Sequence, residues 1–261
     1  MTAADATATG RIFEHDRVAG GYATARPYLH PQVFARVRKL ISLEARVRQA
    51  LDVGCGTGMS SVALAALARD VVGTDASLPM LRRARRAPHV RYVASSAEAL
   101  PFRAASFDLV VACGSIDWVD RTRFLPRALE LLPPGGWLVA LDFGDTGRSP
   151  DVAELARWYD DAFQARYPRP RTSDPIISAD EATRCGFEAP SRSDFRVECA
   201  LTASEYAAFL TTESNVIAAV EYGSAAAETV RAGLLSELEP LFGAGPRRLS
   251  FAGYVQALRR P

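Results

Sequence analysis

The sequence predicts a doubly wound α/β fold, a mostly parallel sheet covered by helices on both faces, and three observations carry that reading. From Val47 onward, short apolar runs alternate with amphipathic stretches, the pattern of right-handed strand–helix–strand crossovers. The runs are continuous rather than alternating, as strands buried on both faces require. A glycine-rich turn follows the first run directly, where the chain leaves a strand and enters a helix.

Taken in order, residues 1–10, MTAADATATG, are small and polar. They offer too little apolar surface to offset the entropy of ordering them, which predicts a flexible tail. A helix is expected from Pro31 to about Leu43, with Val33, Phe34, Val37, Leu40 and Ile41 three and four apart. ALDVG, DVVGTD, VRYVA, FDLVVAC and GWLVALDF then read as strands. Helices are expected between them over Val62–Leu67, Leu78–Ala87 and Phe124–Leu132, and after them near Val152–Phe163. Pro133, Pro134, Gly135 and Gly136 redirect the chain before GWLVALDF.

After Pro168 the rhythm changes. PRPRTSDP is a connection, and SADEATRCGF a helix with Ser178 and Glu181 at capping-box spacing. FRVECAL and LSFAGYVQAL are strand candidates, separated by alanine-rich helices over about Ala203–Val220 and Ser224–Leu238. The organisation this implies is a tail over 1–10 and a single domain over 11–261. That domain has an N-terminal cap segment at 11–45 and an added helical cap at 201–240.

Composition narrows the function. Lys plus Arg number 31 against 30 Asp plus Glu, so no global field draws the chain to nucleic acid or to an anionic membrane. The arginines at 82, 83, 85, 86, 247 and 248 lack interleaved aromatic residues and read as solvated surface. Cys55, Cys113, Cys185 and Cys199 show no metal-ligand spacing, so no metal is expected. No stretch approaches the roughly 20 apolar residues that span a bilayer, and no leader pattern opens the chain, which predicts a cytoplasmic, reduced protein.

The strongest motif is LDVGCGTGMSS. Glycine is needed where backbone turns with positive φ or where a ligand approaches the main chain. A side chain at Gly56 would fill the ligand's place. A dinucleotide fingerprint puts its third glycine three residues after the second, but that position is Met59, and the third glycine is Gly58. Asp52 ends the strand before the turn, and its charge would repel a pyrophosphate and attract an ammonium. The turn therefore suits a zwitterionic amino acid. Asp75 ends the next strand, about twenty residues on, where a carboxylate can accept from both hydroxyls of a ribose.

These residues resemble class I S-adenosylmethionine (SAM)-dependent methyltransferases, particularly the small-molecule group of type 11 domains with a Rossmann-like sheet. The resemblance covers about residues 12–145 and is loose beyond Pro168. It implies SAM as cofactor, held by Asp52, Gly54, Cys55, Gly56 and Gly58, with Asp75 and Ala76 at the ribose. SSAEALPFRAASFDLVVACGSIDWVD is similar to the family's adenine loop and fourth strand. This would set Ser96, Ala97 and Glu98 beside the adenine and Cys113, Gly114 and Ser115 near the sulfonium and ribose. Many relatives carry Asp at position 96, and Ser96 makes only a neutral bond. GGYATARPYLHP resembles the N-terminal segment that folds over the cofactor, which would place Tyr22 near the methionine portion and Arg26 on its carboxylate. Relatives with a His-Trp pair after the fourth strand would have His where this chain has Asp117.

Methyl transfer from a sulfonium needs chiefly an in-line nucleophile at close range, and a base only when the nucleophile arrives protonated. Candidate bases are Asp117, His15, His30 and Tyr22. Of these Asp117 is the primary catalytic candidate, with a helix N-cap as its competing role. His15 and His30 read first as surface or helix-start residues. Trp118, Trp158, Tyr159, Phe163, Phe209 and Tyr222 are candidates for an acceptor pocket or for core. The expected partner is a small molecule, not nucleic acid or membrane; monomer or homodimer stays open, as does the atom methylated (O, N or C). Two other readings stay open too: a nicotinamide-dependent oxidoreductase, disfavoured by Met59 and Asp52, and a non-catalytic SAM-binding protein.

Overall fold

The computed structural model describes residues 11–169, 174–223 and 225–261. The expected tail over 1–10, part of the PRPRTSDP connection and the Ser224 helix start lie outside them. Strands β1 (Val47–Val53), β2 (Ala68–Asp75), β3 (Val90–Ala94), β4 (Leu109–Cys113), β5 (Trp137–Arg148), β6 (Ser191–Leu201) and β7 (Arg247–Arg259) form one sheet in the order β3-β2-β1-β4-β5-β7-β6. The first five pair in parallel. β7 runs antiparallel to β5: Gly135 and Gly136 exchange backbone bonds with Arg260, while Thr146 Oγ1 donates to Ser250 O at 2.7 Å. This is the doubly wound, mostly parallel Rossmann-like sheet that the alternation of apolar runs predicts.

The order matters for function. From β1 the chain steps outward through β2 and β3, then returns to lay β4 on the other side of β1, so Val53 pairs with Thr74 and with Ala112. The carboxyl ends of β1 and β4 thus form a topological switch point, the place where open α/β sheets bind ligands.

Contacts divide the described chain into two compact units. One comprises residues 11–27, 144–169 and 196–252, and the other 28–143, 174–195 and 253–261. The expected 11–45 segment is shared between them at Pro27, and the 201–240 segment falls wholly in the first. In the second unit, helix His30–Leu40 buries Val33, Phe34 and Val37, and helix Arg121–Leu131 buries Phe124, Leu125, Ala128 and Leu131. Phe124, Leu125, Ala128 and Leu131 share one core with Leu51, Val110, Leu138, Phe187 and Leu258. In the first unit, Tyr206, Phe209, Phe242 and Phe251 form an aromatic core.

Several helices differ from expectation for local reasons. The helix expected over 78–87 ends at Arg82, because the chain then turns so that Arg85 N–H reaches Thr57 O at 2.9 Å. The one expected over 203–220 is two, Ala203–Leu210 and Ser214–Tyr222. Between them the hydroxyls of Thr211 and Thr212 donate back to Ala208 O and Phe209 O, competing with the helical ladder. The stretch expected over 152–163 is a short helix, Leu155–Arg157, running into a π-helix, Trp158–Phe163. Ser178 caps its helix by accepting from Glu181 N–H, while the complete capping box stands at Thr202 and Glu205.

Candidate active site

The glycine turn sits at the carboxyl end of β1. Gly54, Gly56 and Gly58 have φ of 70°, 51° and 74°, a region that side chains disfavour. Gly54 is also crowded, since a Cβ there would stand 2.5 Å from Ser115 Cβ. Gly56 is the opposite case, because a Cβ there would meet nothing within 4 Å. Positive φ with open space in front is the geometry of a backbone kept bare for a ligand. Gly58 N-caps helix Met59–Leu64, and a Cβ there would overlap the Tyr92 hydroxyl. Cys55 is buried, and burial pushes its thiol well above the ordinary range.

Asp52 is fully buried beneath this turn. Its Oδ2 accepts from Ser60 Oγ at 2.7 Å and Ser61 Oγ at 2.6 Å, while Oδ1 has no hydrogen-bond partner. Burial raises its pKa to about 6, the two serine hydroxyls hold it down, and Asp75 pushes it further up. A buried carboxylate oxygen without a donor is costly, and an incoming ammonium would relieve it.

Asp75 ties the turn to β2. Its Oδ2 accepts from Gly56 N–H at 2.7 Å and its Oδ1 from Ser77 N–H at 2.8 Å. Burial raises its pKa against these two bonds. Each oxygen keeps a second lone pair for a further donor. Ala76 beside it is exposed. Ser95 N–H donates to Asp75 O at 3.0 Å, so the Ser96, Ala97, Glu98 turn begins next to Asp75. Glu98 Oε1 accepts from Asp120 N–H at 3.0 Å.

β4 delivers the other wall. Cys113, its thiol pushed well up by burial, is followed by exposed Gly114. Ser115 Oγ donates to Val53 O at 2.7 Å, fastening the β4 end to the β1 end. Asp117 lies in the turn that follows. Its expected competing role as helix cap belongs to Asp120, whose carboxylate accepts from Thr122 N–H at 3.0 Å. Asp142 and Asp117 both push up the buried Tyr254 phenol, after burial itself.

Of the remaining candidates, His30 and Trp118 lie in the second unit and the others in the first. Arg26 donates to Thr212 O at 2.7 Å, pairs with Glu213 at 3.0 Å and lies 4.4 Å from the Tyr22 ring centre. His15 faces Glu221 at 3.4 Å. Tyr159, Phe163 and Phe209 are buried, Trp158 Nε1 donates to Glu237 at 2.8 Å, and Tyr222 is exposed. Sequence reasoning missed a second buried acid here. Asp145 accepts from Tyr206 Oη at 2.5 Å and from Gly147 N–H at 3.1 Å, and burial raises its pKa to about 6. It also missed the serine grip on Asp52; the signal was MSS directly after the glycines, which sets two hydroxyls in the first helical turn.

Open space over Gly56, the unpartnered Asp52 oxygen and the spare lone pairs of Asp75 fit the backbone approach, ammonium and ribose of SAM. Residues 51–140 match the family model described as a methyltransferase domain. The chain is 40% identical over 98 residues to demethylmenaquinone methyltransferase of Renibacterium salmoninarum, covering 37% of this chain and 41% of that one. It is 41% identical over 113 residues to trans-aconitate 2-methyltransferase of Methylobacterium radiotolerans, covering 40% and 43%. It spans about half the length of the curated relatives it matches. Among solved structures, a provisionally assigned type II methyltransferase from Anaeromyxobacter dehalogenans superposes with a TM-score of 0.66 at 25% identity, covering 86% of this chain and 95% of that one. Residues 51–140 thus match a methyltransferase domain, and the sheet that carries them superposes on that of a methyltransferase.

Proposed function

We propose that this protein transfers the methyl group of SAM to a small-molecule acceptor by in-line displacement. The observation that carries the reading is the buried Asp52 oxygen without a donor, at the end of a strand whose next residues leave open space over Gly56. In this reading Asp52 attracts the ammonium, the Gly54, Cys55, Gly56 and Gly58 backbone passes along the methionine portion, and Asp75 with Ala76 takes the ribose. Ser96, Ala97 and Glu98 border the adenine, while Cys113 and Gly114 face the sulfonium. SAM supplies an already activated methyl group, so the protein's part is to hold the nucleophile in line and exclude water.

From the sequence resemblance, Tyr22 is proposed near the methionine portion and Arg26 on its carboxylate. Asp117 is proposed to orient the acceptor, and Asp117→Asn would then lower turnover while leaving SAM affinity and Tm unchanged. The relatives named for demethylmenaquinone and trans-aconitate support a small acceptor, and a cytoplasmic location belongs to the same proposal. The test is incubation with methyl-labelled SAM and metabolite fractions, followed by mass identification of labelled products. A labelled small molecule is the expected result. SAM binding with no label transferred to any fraction would leave a binding protein instead.

A further inference from the structure

From β3 to β4 the chain crosses the Val72 and Val93 face of the sheet with no helix but the three-residue turn Ala97–Ala99. Parallel sheets are ordinarily covered on both faces, most often by a crossover helix. The loop that takes its place here borders a cavity of about 530 Å³, wholly within the second unit. Val72, Val93, Phe102 and Phe107 give it an apolar lining, with Arg91, Arg103 and Gln49 among the polar residues around it. Gln49, Arg91 and Phe107 set it toward the amino ends of β1, β3 and β4, whereas the glycine turn leaves the carboxyl end of β1.

We infer that this cavity is a second ligand site and that it takes a small aromatic carboxylate. Its volume falls within the range of small-molecule pockets, roughly 300–1,000 Å³. The charge on its lining is all of one sign, two arginines and no acid. Among the described residues the guanidinium groups of Arg91 and Arg103 enter no hydrogen bond, ion pair or ring contact. The neighbouring Arg127 shows the contrast, since it donates to Leu100 O at 2.9 Å and to Phe102 O and pairs with Glu130 at 2.6 Å. The acids nearby are already engaged: Asp108 Oδ2 accepts from Gln49 N–H at 2.9 Å, and Asp70 faces His89 at 3.4 Å. Two forked donors beside one opening suit a carboxylate, which each can grip with paired N–H groups.

The apolar half decides what the carboxylate is attached to. Phe102 and Phe107 meet edge to face, with centroids 5.0 Å apart and planes at 86°, so a planar ring finds both a ring face and a ring edge to pack against. A compact anion such as phosphate would leave this surface uncovered, and a neutral hydrocarbon would leave both guanidinium groups without a counter-charge. Gln49 Oε1 accepts from Arg48 at 3.1 Å, which leaves the amide N–H groups to donate. The bonds from Arg127 to Leu100 O and Phe102 O fix the loop wall before any ligand arrives. The site shares no residue with the glycine turn, Asp75 or the Ser96–Glu98 turn, and it stands whether or not SAM binds.

The probe is 2-naphthoate, titrated by calorimetry into the parent, Arg91→Gln, Arg103→Gln, the double variant and a control, Arg157→Gln, at an exposed arginine of the first unit. Neutral 2-naphthamide is titrated alongside. The expected result is one naphthoate per parent chain, with affinity lower by about fivefold in each single variant and about twentyfold in the double. The control should keep parental affinity, and naphthamide should bind at least about tenfold more weakly than naphthoate. Tm should be unchanged throughout; should a variant unfold, the comparison of the two probes on the parent still decides. Saturating SAM should leave naphthoate affinity as it is, because the two sites lie toward opposite ends of the strands. No saturable naphthoate binding below about 1 mM, equally tight naphthamide, or equal losses in the control and the double variant would overturn the inference. Displacement of naphthoate by SAM would place the probe at the glycine turn and overturn it too.

Discussion

Among the described residues each compact unit holds one buried aspartate, and the two differ in their partners. Asp52 and Asp145 are 0% and 3% exposed, and burial raises both to about pKa 6. In Asp145 one oxygen takes the Tyr206 hydroxyl and the other the Gly147 N–H, so the carboxylate is satisfied within its own unit. In Asp52 both serine hydroxyls converge on one oxygen and the other is left without a donor. A raised pKa therefore does not mark a binding site in this molecule. Asp145 fastens β5 to the helix carrying Tyr206; Asp52 is arranged to receive something.

The largest effect expected from breaking this contrast lies at Gly56. Gly56→Val puts a branched side chain into the open space over Gly56, and SAM binding should fall by at least about a hundredfold while the fold persists. Titration calorimetry together with circular dichroism reads both. Next comes Asp75→Ala. It removes one or two charge-assisted bonds to the ribose, each worth roughly 1.5–3 kcal/mol, so SAM affinity should drop tenfold or considerably more.

The third effect is in pH. An ammonium favours the ionised form of Asp52, so SAM affinity should rise about tenfold between about pH 5 and 7 as a group of pKa near 6 loses its proton. Asp52→Asn should abolish that rise and Asp145→Asn should keep it. Stability behaves oppositely. Both carboxyls titrate higher in the folded chain than in the unfolded one, so each favours folding most in acid, and that contribution is lost as pH rises through about 6. Asp145→Asn should therefore flatten the Tm–pH curve between about pH 4 and 6, where the buried acid accounts for up to about 3 kcal/mol. The smallest expected effect is at the capping box in the Asp145 unit. Thr202→Ala should cost about 1 kcal/mol in denaturant unfolding and leave SAM affinity alone.

The same contrast explains what was legible in the sequence. The strands of the SAM-type sheet are contiguous apolar runs, so LDV, DVVGTD and LVVAC announced themselves, as did the glycine turn and the acid after it. Local pattern failed where a competing side chain ended an element. The hydroxyls of Thr211 and Thr212 broke one expected helix in two, and Asp120 rather than Asp117 took the cap in IDWVD, its carboxylate accepting from Thr122 N–H. The Asp145 cluster was invisible for a different reason. Tyr206 stands 61 residues from Asp145, and no periodicity links two residues that meet only after folding. His30 opens the helix His30–Leu40, the helix-start role that the sequence reads for it first.

The most direct test of the account is titration of SAM, at about pH 7, into the parent, Asp52→Asn and Asp145→Asn. The expected result is one SAM per parent chain, affinity weaker by about tenfold or more in Asp52→Asn, and parental affinity in a folded Asp145→Asn. No binding to the parent, or equal losses in the two variants, would contradict the assignment of Asp52 and its glycine turn as the cofactor's seat.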